Sequence, residues 1–384
     1  MLLTNGNIYL ENGQIENGYI LIEDEKISSF GDMKYVPSYE GKIIDVKGNM
    51  IWPGFIDQHI HGANGADSMD ATIEANATMA KYLPKEGTTS YLATTMTQSP
   101  EAIEKALTAI VKYMETANSP GEAEILGVHL EGPFISSKHI GAQNPLYVAK
   151  PEIVIFDKYN RVAKGHIRLV TFAPEEAELG FTNYLRSLNV VASAGHTDAN
   201  FQQISDHVEE GLSNLTHFHN AMTPHTHRNP GVVSAGFYFD ALKTEMICDG
   251  IHVAADAIKT TYKIKSSDNI IIITDAMRAK GKADGVYDLG GQDVYKKGME
   301  ARLEDGTLAG SVGEMNIEVR NVYDFTNCSY RDLIKMSSTN SAKQLGVFDY
   351  KGSIEINKDA DLVVVSENID VLLTICRGKV AFER

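Results

Sequence analysis

The stretch Pro53-Gly54-Phe55-Ile56-Asp57-Gln58-His59-Ile60-His61-Gly62 decides how the rest of the chain is read. The apolar run Met50-Ile51-Trp52 leads into a Pro-Gly pair and a strand-like segment ending on two histidines spaced i, i+2. In an extended chain alternate side chains point the same way, so His59 and His61 face one side together. Two imidazoles converging at a strand end suit a divalent transition metal. An isolated H-x-H pair is more often incidental than ligating, so the reading turns on further ligands.

Outward from this stretch, residues 51–345 alternate strand and helix patterns, the mark of an α/β architecture with parallel strands. Ile51 to Asp57 is the first expected strand, and seven more follow: Thr89 to Ala93, Ile125 to Leu130, Ile167 to Thr171, Val190 to Ala194, Leu212 to Thr216, Thr244 to Cys248 and Ile270 to Ile273. The clearest helix has Ser99 as N-cap, Pro100 in its first turn, and Ile103, Ala106, Leu107, Ile110, Val111 and Met114 on one face. Another runs from Asn200 to Glu210 and stops at Gly211. Eight such strands suit a TIM (β/α)8 barrel better than an open sheet.

The flanks read differently. Residues 1–50 hold short apolar runs punctuated by Asn5-Gly6, Asn12-Gly13 and Asn17-Gly18, a small β-meander too short to bury its own core. Residues 346–384 offer the partner strands Lys351 to Glu355, Asp361 to Val365, Val371 to Ile375 and Val380 to Phe382. The expectation is one small β-sandwich domain built from both termini, with the barrel inserted between them.

In a barrel of this kind the chemistry comes from the C-terminal ends of the strands. There the chain places His59 and His61, Glu131, His196, His217 and Asp275, six ligand or acid-base types from five strands. Singly, each has a bland explanation: Glu131 or Asp275 as a helix cap, a histidine as a buried hydrogen-bonded group. Independent capping roles do not predict that all six land at one end, and the set reads as a metal site with an acid-base carboxylate. His129, His139, His166 and His207 read as structural or surface residues. Imidazole and carboxylate donors suit zinc, iron or cobalt alike.

Composition removes other classes. At 43% hydrophobic and 22% charged the chain has the make-up of a globular protein with a full core. A net charge of −16 argues against binding nucleic acid or an anionic membrane surface. No P-loop occurs, and Ser311 in Ala309-Gly310-Ser311-Val312-Gly313 lacks the first glycine of a nucleophile elbow. Three scattered cysteines, a polar start and no apolar run of transmembrane length point to a reducing cytoplasm.

Pro53-Gly54-Phe55-Ile56-Asp57-x-His59-x-His61-Gly62 and the closing Gly352-Ser353-Ile354-x(4)-Asp359-Ala360-Asp361-Leu362-Val363 resemble the amidohydrolase superfamily. Within it, the chain resembles the N-acetylglucosamine-6-phosphate deacetylase family. That likeness rests on His129-Leu130-Glu131-Gly132-Pro133-Phe134, Gly195-His196-Thr197, Thr216-His217-x-x-Asn220-Ala221-Met222, Asp249-Gly250-x-His252, Thr274-Asp275-Ala276-Met277 and Leu308-Ala309-Gly310-Ser311. The resemblance implies one or two divalent metals, zinc or iron, per subunit. Glu131, His196 and His217 would hold the catalytic ion and His59 and His61 a second, with Glu131 bridging and Asp275 as general base. Asn220, the Ala221 backbone, Arg228, His252 and Ala309 would meet a small phosphorylated amino sugar. Some phosphate contacts would come from a neighbouring subunit, implying a homodimer.

One position departs from the family pattern. Many members carry a histidine, thought to polarise the acetyl carbonyl, where this chain has Gln143. A glutamine amide can donate there but carries no charge. Two rival readings remain: an amidohydrolase for another N-acyl sugar or a cyclic amide, and a non-catalytic scaffold, against which the six intact site positions argue. The Gly- and Asp-rich stretch Arg278 to Leu308 is a candidate lid.

Overall fold

The computed structural model describes residues 1–384. Its central unit is an eight-stranded parallel barrel: β1 (Phe55–Ile60), β2 (Thr88–Thr94), β3 (Glu124–Glu131), β4 (Ile167–Phe172), β5 (Val191–Ala194), β6 (Asn214–Leu215), β7 (Lys243–Ile247) and β8 (Ile270–Ile273). Each strand pairs with the next in parallel register. The ring is nearly closed. At the seam between β8 and β1, the Asp275 N–H donates to the His59 carbonyl at 2.8 Å, Thr274 Oγ1 donates to Asp57 Oδ2 at 2.5 Å, and Ile60 pairs with Ala276. That seam ties the strand bearing the histidine pair to the strand bearing the acid.

Helices cover the outside. Pro100–Thr116 forms as its sequence dictates: the Ser99 side chain accepts from the Ala102 N–H, and Ile103, Ala106, Leu107, Ile110 and Val111 are buried. Phe201–Glu210 is fixed at one end by a reciprocal Asn200–Gln203 capping box and at the other by Gly211 at φ 109°.

A second eight-stranded sheet is built from both flanks. Its order is Lys379–Glu383, Val371–Cys376, Leu362–Val365, Met50–Pro53, Leu2–Leu10, Gly13–Glu23, Lys26–Asp32, with Ile43–Asp45 beside Leu2–Leu10. It curls enough for Lys26 to bridge to Asp359, enclosing a separate core that includes Leu3, Ile8, Ile20, Ile51, Leu362 and Ile375.

Two expected strands come out differently. Ile51 to Asp57 is not one strand but two, divided at Gly54. Met50–Pro53 pairs with Leu2–Leu10 and Leu362–Val365 in the outer sheet, and only Phe55 onward enters the barrel. The Gly54 N–H donates to the Asp361 carbonyl, and a Cβ there would come within 2.2 Å of the Thr89 side chain, so the crossing admits glycine alone. Lys351 to Glu355 forms no strand. Instead the buried Lys351 ammonium lies 2.6, 2.9 and 2.5 Å from Glu124, Asp359 and Asp361, joining the start of β3 to the outer sheet.

Residues 278–308 carry a three-stranded antiparallel sheet, Gly285–Leu289, Gln292–Lys297 and Glu300–Arg302. Gln292 Nε2 donates to the Ala142 carbonyl and Gln98 Nε2 to the Gly290 carbonyl, which pins this sheet beside the barrel mouth. No helix is long and apolar enough to cross a membrane, and Cys248, Cys328 and Cys376 are all buried and unpaired.

Candidate active site

The six strand-end residues meet at the barrel mouth. His59 lies within β1 and His61 one residue past it, Glu131 ends β3, and His196, His217 and Asp275 each lie two residues beyond β5, β6 and β8. The last three adopt left-handed backbone, with φ of 48°, 33° and 48°. Such conformations cost non-glycine residues on the order of 1–3 kcal/mol each and persist only where surrounding bonds enforce them. Here Ser311 donates its N–H to the Asp275 carbonyl, Ser136 to that of His196 and Asn220 to that of His217. The turn swings each side chain back over the mouth instead of along the strand.

Glu131 stands at the middle. Its Oε1 is 3.3 Å from His59 Nε2, 3.5 Å from His196 Nε2 and 3.2 Å from His217 Nε2; its Oε2 is 3.2 Å from His61 Nε2. Asp275 Oδ1 lies 3.3 and 3.2 Å from the Nε2 atoms of His59 and His61. The donors fall into two groups, His59/His61/Asp275 and Glu131/His196/His217. Donor atoms about 2.1 Å from one tetrahedral ion sit about 3.4 Å apart, the spacing found here. His59 Nε2 and Glu131 Oε1 are buried without a hydrogen-bond partner, as atoms meant for an ion would be. The two groups can therefore each hold a divalent cation.

The electrostatics agree. Burial works against charge on His59, but the facing Asp275 and Glu131 carboxylates outweigh it and raise His59 well above the ordinary imidazole range. Burial opposes charge on His61 too, yet hydrogen bonds to the same carboxylates push it up to about 9. Burial also disfavours ionised Glu131 and Asp275, and the imidazoles hold both below the usual carboxylate range. The field where these atoms meet favours positive charge.

Above them opens a cavity of about 460 Å³ whose lining includes His61, Glu131, His196, His217, Asp275, Gln143, Asn220, Ala221 and His252. His59 lies beneath, fully buried. His252 is held by its Nδ1, 2.7 Å from Asp249 Oδ2. Ala309 is fully buried, and its neighbours Leu308 and Gly310 line the wall instead. Arg228 does not reach the cavity of its own chain: it sits on the exposed loop after Met222, in a separate surface pocket with Asn200 and Thr223. Gln143 is more committed than expected. Its Oε1 accepts from the Thr97 N–H at 2.7 Å and its Nε2 donates to Glu131 Oε2 at 2.7 Å, so it first orients the central carboxylate and keeps one N–H for anything else.

The sequence pattern of the amidohydrolase family matches residues 50–381, which span the barrel, the whole donor set and the returning strands of the outer sheet. This chain belongs to that family. It is 45% identical over 384 residues to N-acetylglucosamine-6-phosphate deacetylase of Bacillus subtilis (strain 168), covering 100% of this chain and 97% of that one. To N-acetylgalactosamine-6-phosphate deacetylase of Escherichia coli O157:H7 it is 34% identical over 333 residues, covering 86% and 88%. The crystal structure of N-acetylglucosamine-6-phosphate deacetylase from Thermotoga maritima superposes with a TM-score of 0.90 at 34% identity, covering 100% of both chains.

Three residues of this amidohydrolase escaped the sequence reading. His139 lines the cavity, and its carbonyl accepts from His196 Nδ1 at 2.8 Å. His129 is fully buried under the site, its ring centroid 4.4 Å from that of His59. His129-x-Glu131 repeats the alternation of His59-x-His61, a signal that it faces the lumen. Glu245 on β7, 3.1 Å from His59 Nδ1, sits mid-strand between Thr244 and Met246 and left no motif. His207 is structural, bonded to Thr182 and the Pro174 carbonyl.

Proposed function

We propose that this amidohydrolase removes the acetyl group from N-acetyl-D-glucosamine 6-phosphate, giving D-glucosamine 6-phosphate and acetate, in amino-sugar catabolism and recycling. The observation that carries the reading is Asp275: one carboxylate oxygen shared by His59 and His61, facing a sugar-sized cavity beside a five-donor cluster centred on Glu131. Glu131, His196 and His217 would hold one ion, and His59 and His61 with the second oxygen of Glu131 another, zinc or iron in either position. A bound ion supplies a Lewis acid and brings the pKa of a coordinated water from 15.7 toward roughly 7.

The chain's own residues account for the remaining steps. Asp275 takes the proton of the attacking water and returns it to the departing amine nitrogen. The remaining Nε2–H of Gln143 would donate to the oxyanion as charge develops on the acetyl oxygen. Asn220, the Ala221 N–H (to which no group of the chain bonds) and His252 would hold the sugar phosphate. Arg228 would reach that phosphate from the second copy of a homodimer, which accounts for its place outside its own cavity. A cytoplasmic setting fits three buried free thiols.

Acetate release from N-acetylglucosamine 6-phosphate, with and without chelator, tests the reading. Activity abolished by chelator and restored by zinc or iron is expected; chelator-resistant release, or none at all, overturns it. The galactosamine-named relative favours a second reading, the 4-epimer, so the epimeric phosphate belongs in the same assay.

A further inference from the structure

Below the metal donors the barrel lumen holds a layer of polar side chains where apolar packing is the rule. His129 Nε2 is 2.7 Å from Thr171 Oγ1, which is 2.7 Å from Thr216 Oγ1, which is 2.5 Å from Ser193 Oγ. Asn214 Nδ2 donates to Ser193 Oγ at 2.9 Å and to Glu245 Oε1 at 3.0 Å, and Gln58 Nε2 donates to the same Glu245 oxygen at 2.7 Å. Every member is fully buried. The layer runs through β1, β3, β4, β5, β6 and β7 and ends on one carboxylate.

Two other buried carboxylates have an ammonium beside them: Glu86 has Lys280 at 2.7 Å, and Asp361 has Lys351 at 2.5 Å. Glu245 has neither lysine nor arginine. The one group able to carry positive charge within ion-pair distance is His59, whose Nδ1 lies 3.1 Å from Glu245 Oε2. Two amide N–H groups occupy Oε1, so Oε2 is left to His59 alone. A carboxylate accepts and cannot donate, so the proton of the shared bond lies on Nδ1. The lone pair of the neutral ring is then on Nε2, the atom aimed at Glu131 and Asp275. The other three histidines are backed differently: His196 Nδ1 by a backbone carbonyl, His61 Nδ1 and His217 Nδ1 by nothing.

We infer that Glu245 is a positioning residue that fixes the ring orientation and tautomer of His59, and thereby sets the affinity of the metal position that His59 forms with His61. It acts through His59 and touches neither substrate nor metal. The inference rests on the two-ion reading of the site given above.

The test is zinc binding by the full-length protein, wild type and Glu245→Gln, titrated against a competing chelator. Glutamine keeps the shape, but with its oxygen satisfying Gln58 and Asn214 it turns an N–H toward His59 Nδ1 and selects the wrong tautomer. Wild type should bind two zinc ions. In the variant the Glu131/His196/His217 position should keep its affinity while the other weakens about 10–100-fold. Two sites of unchanged affinity, or equal weakening of both, would overturn the inference and leave the hydrolase reading standing. Wild type holding a single ion would do the same, whereas wild type holding none would remove both. If the variant fails to fold, nitrogen-15 histidine spectra of zinc-loaded wild type decide: His59 must carry its proton on Nδ1, and a metal-bound Nδ1 sinks the proposal.

Discussion

His59 and His217 approach the same Glu131 oxygen, at 3.3 and 3.2 Å, but the chain brings them there by different means. His59 and His61 come from β1 and the residue just past it, where the extended alternation aims both rings, and His59 is backed by a buried carboxylate. His196 and His217 come from two strand ends, each turned by a left-handed residue, and their outer nitrogens meet one loop carbonyl and nothing. One half of the cluster is part of the barrel wall; the other hangs from its rim. The histidine pair of the wall half owes its placement to secondary structure, whereas the rim half depends on the loops that carry Ser136 and Asn220.

Each half can be disabled separately. Asp275 serves the wall half as a donor-group member and the reaction as its base, so Asp275→Asn should give the largest loss, about 10²–10⁴-fold in kcat, with the fold retained by circular dichroism. Turnover within a few-fold of wild type would remove Asp275 from its role. Next come the halves themselves. His196→Ala should remove much of the activity and the bound ion of the rim position. The double variant His59→Ala/His61→Ala should weaken activity and cut the metal count from two to one without ending either. Metal analysis beside kinetics checks both, and equal losses would mean the halves are not separate.

A smaller effect is set by pH. His61 must shed its proton to bind metal, and its value is pushed up to about 9, above the ordinary 6.5. Zinc affinity at the wall position should therefore still be rising at pH 9, since His59 is raised as well, and fall roughly tenfold per unit below that for each proton displaced. Calorimetry in buffers of different ionisation heat reads the released protons; affinity flat between pH 6 and 9 would break the sign. The smallest effect belongs to Arg228→Ala, which should raise KM for the phosphorylated sugar and leave the unphosphorylated one untouched. An equal change for both would detach Arg228 from the phosphate.

All eight barrel strands were legible because apolar runs bounded by turns are local signals. Where a strand goes was not. Trp52 and Phe55 read as one run, yet they lie on opposite sides of a crossing between two sheets, and only the remote partners Leu362–Val365 determine which residues belong to which. Lys351 looked like strand because its sequence neighbours do, although its ammonium serves three carboxylates distant in the chain. The site was legible as residue types at strand ends. The left-handed turns at His196, His217 and Asp275 were not, since histidine and aspartate tolerate positive φ better than most residues but adopt it only where the surroundings require it. The double engagement of Gln143 and the distance of Arg228 from its own cavity depend on loop paths that no periodicity encodes.

The outer sheet has a consequence for how the protein is made. Met50–Pro53 is an edge strand of apolar residues until Leu362–Val365 pairs with it, and that partner is synthesised more than 300 residues later. During translation the barrel can assemble strand by strand, but the meander of the first 53 residues must wait with an open, sticky flank. Completion of the molecule is thus a late, long-range closure, and the nascent chain is most exposed to mispairing in that interval.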